Sequence, residues 1–290
     1  MWRYLFKTMR PKQWVKNVFI FAALVFDLQL FRIQSFLNTA IGAVFFSLVA
    51  SSVYILNDLA DMEKDRQHPV KCKRPLAAGL LSPHAAVIAA LSLLAVSFAG
   101  AFILNWRFGL LLTFYLGLNL LYSFFLKHIP IIDVLVLASF YVIRVAAGVS
   151  LITVQRFSPW LFVCTTLIAL FIGLGKRRAE LVLLAEDANS HRKVLDGYTI
   201  PFLDQLIIIV SGTTIVAYSL YTFSAANLPE NHLMMLTIPF VLYGIFRYLY
   251  LINVKDEGGA PEEIVLRDWP FIVNMLLWGF TSIAVLYFFT

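Results

Sequence analysis

Nine stretches of this chain, near 14–31, 35–56, 84–104, 107–126, 129–152, 158–175, 202–222, 233–252 and 270–289, are each long and apolar enough to cross a bilayer. A membrane-spanning helix needs roughly 20 mostly apolar residues. Backbone amides that face lipid must find partners within their own helix or in a closed barrel, and these runs show no strand alternation, so helices are expected. The predicted fold is all-α: a polytopic membrane protein with nine transmembrane helices in a single integral-membrane domain, residues 1–290. The first stretch has the shortest clean apolar run, because Lys16, Asn17 and Asp27 interrupt it.

Composition points the same way. Of the 290 residues, 60% are hydrophobic and 14% charged, against about 45–50% and about 25% in a soluble domain. A water-soluble globule would lack the polar surface to cover itself, which excludes a cytosolic enzyme, a disordered tail and a secreted disulfide scaffold. The two cysteines, Cys72 among lysines and Cys164 in an apolar run, form no disulfide framework. No small-residue cleavage site follows the first apolar stretch, so it is expected to be a retained span rather than a signal peptide.

Lysine and arginine accumulate on the cytoplasmic side of membrane proteins. Eighteen of the 23 lie on one side, in the N-terminal arm (Arg3, Lys7, Arg10, Lys12, Lys16), the 57–83 loop, the 176–201 loop and at Lys127, Lys255 and Arg267. Arg32, Arg107 and Arg156 lie on the other side, and Arg144 and Arg247 fall inside spans. The expected location is the cell membrane, with the N-terminus cytoplasmic and, for an odd number of spans, the C-terminus outside. The net charge of +6 sits in loops abutting the bilayer, so anionic lipid headgroups rather than nucleic acid are the expected contacts.

The second span ends in Asn57-Asp58-Leu59-Ala60-Asp61-Met62-Glu63-Lys64-Asp65, followed by Arg66, His68, Pro69, Lys71, Lys73, Arg74 and Pro75. Asn57, Asp61 and Asp65 are spaced i, i+4, i+8, and Asp58 reaches Asp61 and Asp65 at i+3 and i+7, so their oxygens share one helical face. Carboxylates stacked this way repel unless a cation bridges them. Hard oxygen donors with room for water and phosphate suit Mg²⁺, and the neighbouring cations would meet phosphate charge that the metal leaves uncovered. The bland alternative is a solvated, salt-bridged helix end.

The run Asn57 to Gly79, N-D-x-x-D-x-x-x-D-x-x-H-P-x-K-x-x-R-P-x-A-A-G, resembles the first aspartate-rich motif of the UbiA superfamily of intramembrane prenyltransferases. The resemblance implies a nine-helix bundle with a polar cavity open to the cytoplasm. Aromatic prenyltransferases of that superfamily carry a second D-x-x-x-D motif after the sixth span. Here the corresponding segment is Gly175-Lys176-Arg177-Arg178-Ala179-Glu180-Leu181, followed by Arg192-Lys193 and Tyr198-Thr199. Cations replace the acids, so this side is expected to bind an anion directly, with Lys176 and Glu180 on one face at i, i+4. Together with Arg10-Pro11-x-Gln13-Trp14-x-Lys16-Asn17 and Pro261-Glu262-x-Ile264-x-Leu266-Arg267-Asp268, the segment resembles the decaprenyl-phosphate phosphoribosyltransferase branch. Arg178 departs from that pattern, standing where members carry tyrosine.

The resemblance implies two substrates, phosphoribosyl diphosphate and a polyprenyl phosphate, Mg²⁺ as cofactor and a role in making cell-envelope precursors. Asn57, Asp58, Asp61 and Asp65 would hold the metal, and Asp58, Asp61, Asp65, Lys176 and Glu180 would be catalytic. Lys16, Tyr54, Asn57, Asp61 and Lys71 would contact phosphoribosyl diphosphate or its metal. Arg74, Lys127, His128, Lys176, Arg177, Glu180 and Arg192 would complete the polar cavity. A phosphate monoester is already ionised near pH 7, so no side-chain nucleophile is needed, and catalysis would be positioning and electrostatics. A homo-oligomer is compatible with this reading.

Arg144 lies well inside the fifth span, where charge is costly and usually functional or paired. Asp133 is eleven residues away, roughly 16 Å along a helix, so the two should not pair, and Arg144 is read as a substrate-cavity residue ahead of a structural ion pair. Arg247 fits either role. The loop with Asp256, Glu257, Glu262, Glu263 and Asp268 reads as a solvated cap with room for one functional member, and Gly258-Gly259 is compatible with a hinge. Trp2, Trp14, Trp106, Trp160 and Trp269 lie near span ends, where interfacial anchoring is expected. Two rival functions stay open: a prenyltransferase using a prenyl diphosphate, and a transporter or flippase. The missing second aspartate motif counts against the first. The gathering of charge at one membrane face rather than at the midplane counts against the second.

Overall fold

In the structure, a computed structural model, residues 2–67, 71–154, 158–186, 193–225, 228–255, 264 and 267–289 are described. Most of them are helical, with no strand among them. A short helix α1 (Trp2–Thr8) leads into a 3-10 helix (Pro11–Phe21) and α2 (Ala22–Phe26). The chain continues through α3 (Ile33–Ala60), α4 (Met62–Gln67), α5 (Pro83–Leu104), α6 (Trp106–Phe124) and α7 (Ile132–Ser150). It ends with α8 (Pro159–Glu186), α9 (Ile200–Ser224), α10 (Ile238–Val254, preceded by the 3-10 turn Leu233–Thr237) and α11 (Trp269–Phe288).

Helix starts follow local chemistry legible in the sequence. Ser82, Thr199 and Asp268 each accept a hydrogen bond from the amide three residues on, and proline occupies an early position in each helix, where its missing amide costs nothing. Asn105 caps α6 through the amides of Arg107 and Phe108. Within the helices, serine and threonine hydroxyls return to carbonyls one turn back, as in Ser47 to Ala43, Thr166 to Phe162 and Thr214 to Val210. That leaves fewer polar atoms facing hydrocarbon.

Eight helices among the described residues are long and apolar enough to cross a membrane. The sequence reading expects nine. The remaining stretch, 14–31, is not one α-helix: it winds as the 3-10 helix and α2, then turns at Leu28, whose φ is 57°. Its polar residues explain the difference, because Asn17 is buried against α3 rather than lying at a helix end. The 28 residues of α3 and of α8 each extend about 42 Å, beyond the roughly 30 Å of a bilayer's hydrocarbon. Each can therefore cross and carry a turn or two of polar sequence past the hydrocarbon.

Residues of the chain sort into two compact units. The first comprises Met1–Leu24, Arg32–Phe124 and Ala146–Thr153. Here α3 packs against α5 and α6, and Ala86, Ala90, Ser97 and Ala101 are the fully buried residues of α5. Small residues let membrane helices approach closely, where dispersion rather than hydrophobicity holds them together. The second comprises Val25–Phe31, Phe125–Val145 and Val154–Thr290. There α8 packs on α9, α9 on α10 and α10 on α11, around Phe171, Leu203, Tyr248 and Ile252. Trp2, Trp106 and Trp269 are exposed, as interfacial anchors would be, whereas Trp14 donates through Nε1 to Ser51 Oγ at 3.0 Å.

Candidate active site

In the first unit the end of α3 carries the aspartates. Backbone bonds from Asp61 N to Asn57 O (2.9 Å) and from Asp65 N to Asp61 O (2.8 Å) carry helical register across the α3–α4 junction. Asn57, Asp61 and Asp65 therefore do stand one turn apart. Asp58 and Asp65 are buried, and Asn57 and Asp61 are half-buried.

Two guanidiniums converge on these acids. Asp58 Oδ1 accepts from Arg10 Nη2 at 2.5 Å and from Arg74 Nη1 at 3.1 Å, and the same Arg74 nitrogen donates to Asp65 Oδ2 at 2.6 Å. Arg74, expected to meet phosphate, thus also bridges two aspartates. The loop that delivers it is folded by its own sequence. Leu76 and Leu81 bury into a cluster with Met9, Ile55, Ala86 and Ala90, and Gly79 closes the turn at φ +71°. L-residues with a side chain rarely adopt that backbone conformation. Arg10 lies 5.1 Å above the Tyr54 ring, and Ser123 Oγ donates to Asn57 Oδ1 at 3.1 Å. Lys16 is half-buried and Lys71 exposed.

Among the described residues no group of three His, Cys, Asp or Glu converges to hold a metal unaided. Mg²⁺ does not require one, since it usually takes one or two carboxylates and completes its sphere with water and substrate phosphate. Asp61 hydrogen-bonds to no described side chain, and its neighbours are hard oxygens, so the donor set fits that ion.

In the second unit the basic segment is largely matched by acids. Arg177, only 1% exposed, donates from Nε to Asp133 Oδ2 at 2.5 Å and from Nη1 to Glu180 Oε2 at 2.6 Å. Tyr198 donates to Asp133 Oδ1 at 2.6 Å and accepts from the Ile131 amide at 2.5 Å. Burial, helped by that bond to Asp133, pushes the Tyr198 phenol well above its ordinary range, so it is a neutral donor. Arg178 donates to Asp204 Oδ1 at 2.6 Å and to the Ile252 carbonyl at 3.1 Å, near the end of α10. A cation there satisfies one of the carbonyls a helix end leaves unpaired. Lys176 is half-buried one position from Arg177. At Gly175, a Cβ would lie 2.9 Å from the Tyr248 ring, so glycine is what lets α10 pack this closely.

Two of the three consecutive cations expected to bind an anion directly are instead matched by acids. Arg177 is tied to Asp133 and Glu180, and Arg178 to Asp204. Arg144 is buried, donates to Phe140 O at 2.7 Å and lies 5.5 Å over the Tyr141 ring, while Asp133 is engaged by Arg177. Arg247 holds Asp268 with two hydrogen bonds, 3.1 and 2.8 Å. Lys127 is half-buried and His128 exposed in the turn Leu126–His128. Arg192, His68 and the acidic loop with Asp256, Glu257, Glu262 and Glu263 lie outside the described residues. Sequence reasoning missed the roles of Arg10, Ser123, Asp133, Tyr198 and Asp204. Arg10 and Tyr198 stood within quoted motifs, and Asp133 was flagged only as a poor partner for Arg144.

A multi-pass helical membrane protein with a ladder of oxygen donors on one helix and a buried basic cluster on another has the architecture of an intramembrane transferase. The family model of the UbiA prenyltransferase family matches residues 17–288. The chain belongs to that family. It is 34% identical over 276 residues to decaprenyl-phosphate phosphoribosyltransferase of Mycobacterium tuberculosis, covering 94% of this chain and 90% of the relative. The enzyme of that name from Corynebacterium glutamicum is 33% identical over 297 residues, covering 98% and 86%. A solved UbiA homologue from Archaeoglobus fulgidus, bound to GPP and Mg²⁺, shares the fold with a TM-score of 0.74 at 20% identity, over 98% of this chain and 99% of the other.

Proposed function

We propose that this chain transfers 5-phosphoribosyl from phosphoribosyl diphosphate to a polyprenyl phosphate, in the cytoplasmic face of the cell membrane, as a step in making a cell-envelope precursor. The observation that carries the reading is the segment Lys176 to Glu180. A lysine and a glutamate one turn apart stand where a prenyl-diphosphate enzyme of this superfamily would place its second aspartate pair. The two phosphoribosyltransferases named above support it, each similar over most of the chain.

In the reaction, an oxygen of the lipid phosphate bonds to the ribose anomeric carbon. The bond from that carbon to the diphosphate oxygen breaks, and its electron pair leaves with diphosphate. Asn57, Asp58, Asp61 and Asp65 would hold Mg²⁺, which when bound supplies charge neutralisation on the leaving group. Arg74 and Lys71 add positive charge beside that diphosphate, and Tyr54 and Lys16 border it. Lys176, with Lys127, His128 and Arg144, supplies positive charge to the second phosphate. Arg177, held by Asp133, keeps Glu180 oriented. Transition-state stabilisation then comes from fixed charges rather than a covalent intermediate.

The test uses purified protein in detergent with Mg²⁺, labelled phosphoribosyl diphosphate and a polyprenyl phosphate. Label is expected in the lipid fraction. Absence of transfer, with prenylation of an aromatic acceptor from a prenyl diphosphate, would assign the chain to the other branch of its family.

A further inference from the structure

The 3-10 helix Pro11–Phe21 runs for eleven residues, where three or four is usual. It is held to α3 by a ladder with matched spacing. Trp14 Nε1 donates to Ser51 Oγ at 3.0 Å, and three residues later Asn17 Nδ2 donates to Ser47 Oγ at 2.7 Å, four residues back along α3. Three residues of 3-10 helix rise about 6 Å, as do four residues of α-helix. The two antiparallel helices thus stay in step only while the arm keeps the tighter winding. One further 3-10 turn on, Ile20 is fully buried, and its carbonyl lies where a side chain at Gly148 would be. At the other end, Arg10 takes a left-handed backbone (φ 54°, ψ 61°) immediately before Pro11, and its guanidinium meets Asp58. Ser51 Oγ also lies 3.1 Å from the Met9 carbonyl, next to Arg10.

We propose that this ladder is a register lock: Trp14, Asn17, Ser47 and Ser51 are positioning residues that set Arg10 against Asp58, and so shape the aspartate face for a metal-bound diphosphate. Eleven residues in 3-10 form span about 22 Å, and in α form about 16 Å. Loss of the lock would let the arm shorten by about one α-helical turn and draw Arg10 off Asp58. The inference rests on reading Asn57, Asp58, Asp61 and Asp65 as a diphosphate site, and is indifferent to which diphosphate is the substrate.

The full chain in detergent is compared with Ser47→Ala/Ser51→Ala and with the milder Trp14→Phe, none of which removes a group from the aspartate cluster. Amide exchange at Val15 and Val18 reports the lock, and exchange in α8 to α11 reports the fold. Calorimetry with Mg²⁺ and inorganic diphosphate reports the site, whatever the second substrate. The double variant is expected to exchange about tenfold faster at Val15 and Val18 with α8 to α11 unchanged. It should bind Mg²⁺–diphosphate about fivefold more weakly and lose about tenfold in kcat, with KM for polyprenyl phosphate within twofold. Faster exchange with unchanged diphosphate binding would show that the arm is seated for stability only, and unchanged exchange would show that the hydroxyls do not hold it. Either overturns the proposal. If the parent protein binds diphosphate in a ladder-dependent way but transfers no phosphoribosyl group, the lock stands and the functional reading falls.

Discussion

Arg177 Nε lies 2.5 Å from Asp133 Oδ2, and the two side chains are 1% and 0% exposed. The pair links α8 to the first turn of α7, and Tyr198 adds the residue before the Thr199 cap of α9. Removing one member of such a pair leaves a buried charge uncompensated. Asp133→Ala is therefore expected to cost about 3–5 kcal/mol. The double change Asp133→Leu with Arg177→Met should cost less than the sum of its single changes. Thermal midpoints in detergent decide it, and additive losses would show that the two residues do not act as a pair.

Asp61 and Lys176 are expected to matter for turnover and not for stability. Asp61 bonds to no described side chain, and Lys176 is half-buried at the start of the basic segment. Asp61→Ala and Lys176→Ala should each lower phosphoribosyl transfer by on the order of a hundredfold or more, with midpoints within about 2 °C of the parent. Near-normal turnover in either variant removes that residue from the site.

Gly148 is a packing requirement on α7. A Cβ there would collide with the Ile20 backbone, which cannot swing aside as a side chain can. Gly148→Ala is expected to destabilise by about 1–3 kcal/mol and to raise amide exchange near Ile20. Unchanged exchange there would show that the arm does not seat on α7.

The Asp268 carboxyl is held below its ordinary value of 3.8, first by its hydrogen bond from Arg247, and the amide of Phe271 acts in the same direction. A group whose pKa is depressed by folding contributes stability above its unfolded pKa and loses it as pH falls through the folded one. The contribution of Asp268 should thus be complete above about pH 4 and fade below it. Asp268→Asn, which keeps the cap but not the charge, should show a shallower acid-side fall in thermal midpoint than the parent. Identical falls would assign the acid sensitivity elsewhere.

The arm bears on topology as well. Eleven 3-10 residues and the five of α2 together rise about 30 Å, close to the hydrocarbon thickness. The arm and the eight α-helices would then make an odd number of crossings. A reporter fused to the C-terminus is expected on the side opposite the N-terminus, and a reporter on the same side would show that the arm does not cross.

Much of this was legible in the chain itself. Eight of the nine apolar runs became α-helices, because length and uniform apolarity leave lipid-facing backbone no other solution. The register of Asn57, Asp61 and Asp65 followed from a period of 3.6 that backbone bonding preserves across the α3–α4 junction. The ninth run escaped because hydropathy reports how apolar a segment is and not how tightly it winds. Its side chains Trp14 and Asn17 bond to Ser51 and Ser47, 37 and 30 residues away. Arg177 reads in sequence as a cation among cations, and nothing local announces that Asp133, 44 residues earlier, is its partner.

By itself, then, the sequence determined the solvent, the helical class and the oxygen ladder that starts at Asn57, since each depends on composition or on spacing within one segment. Tertiary structure decided which charges are already matched. Arg10 and Arg74 stand against Asp58, Arg177 against Asp133 and Arg178 against Asp204, each pair joining separate segments of the chain. The physical reason is range: helical periodicity acts over a few residues, whereas a buried charge is compensated by whatever carboxylate packing brings within about 3 Å.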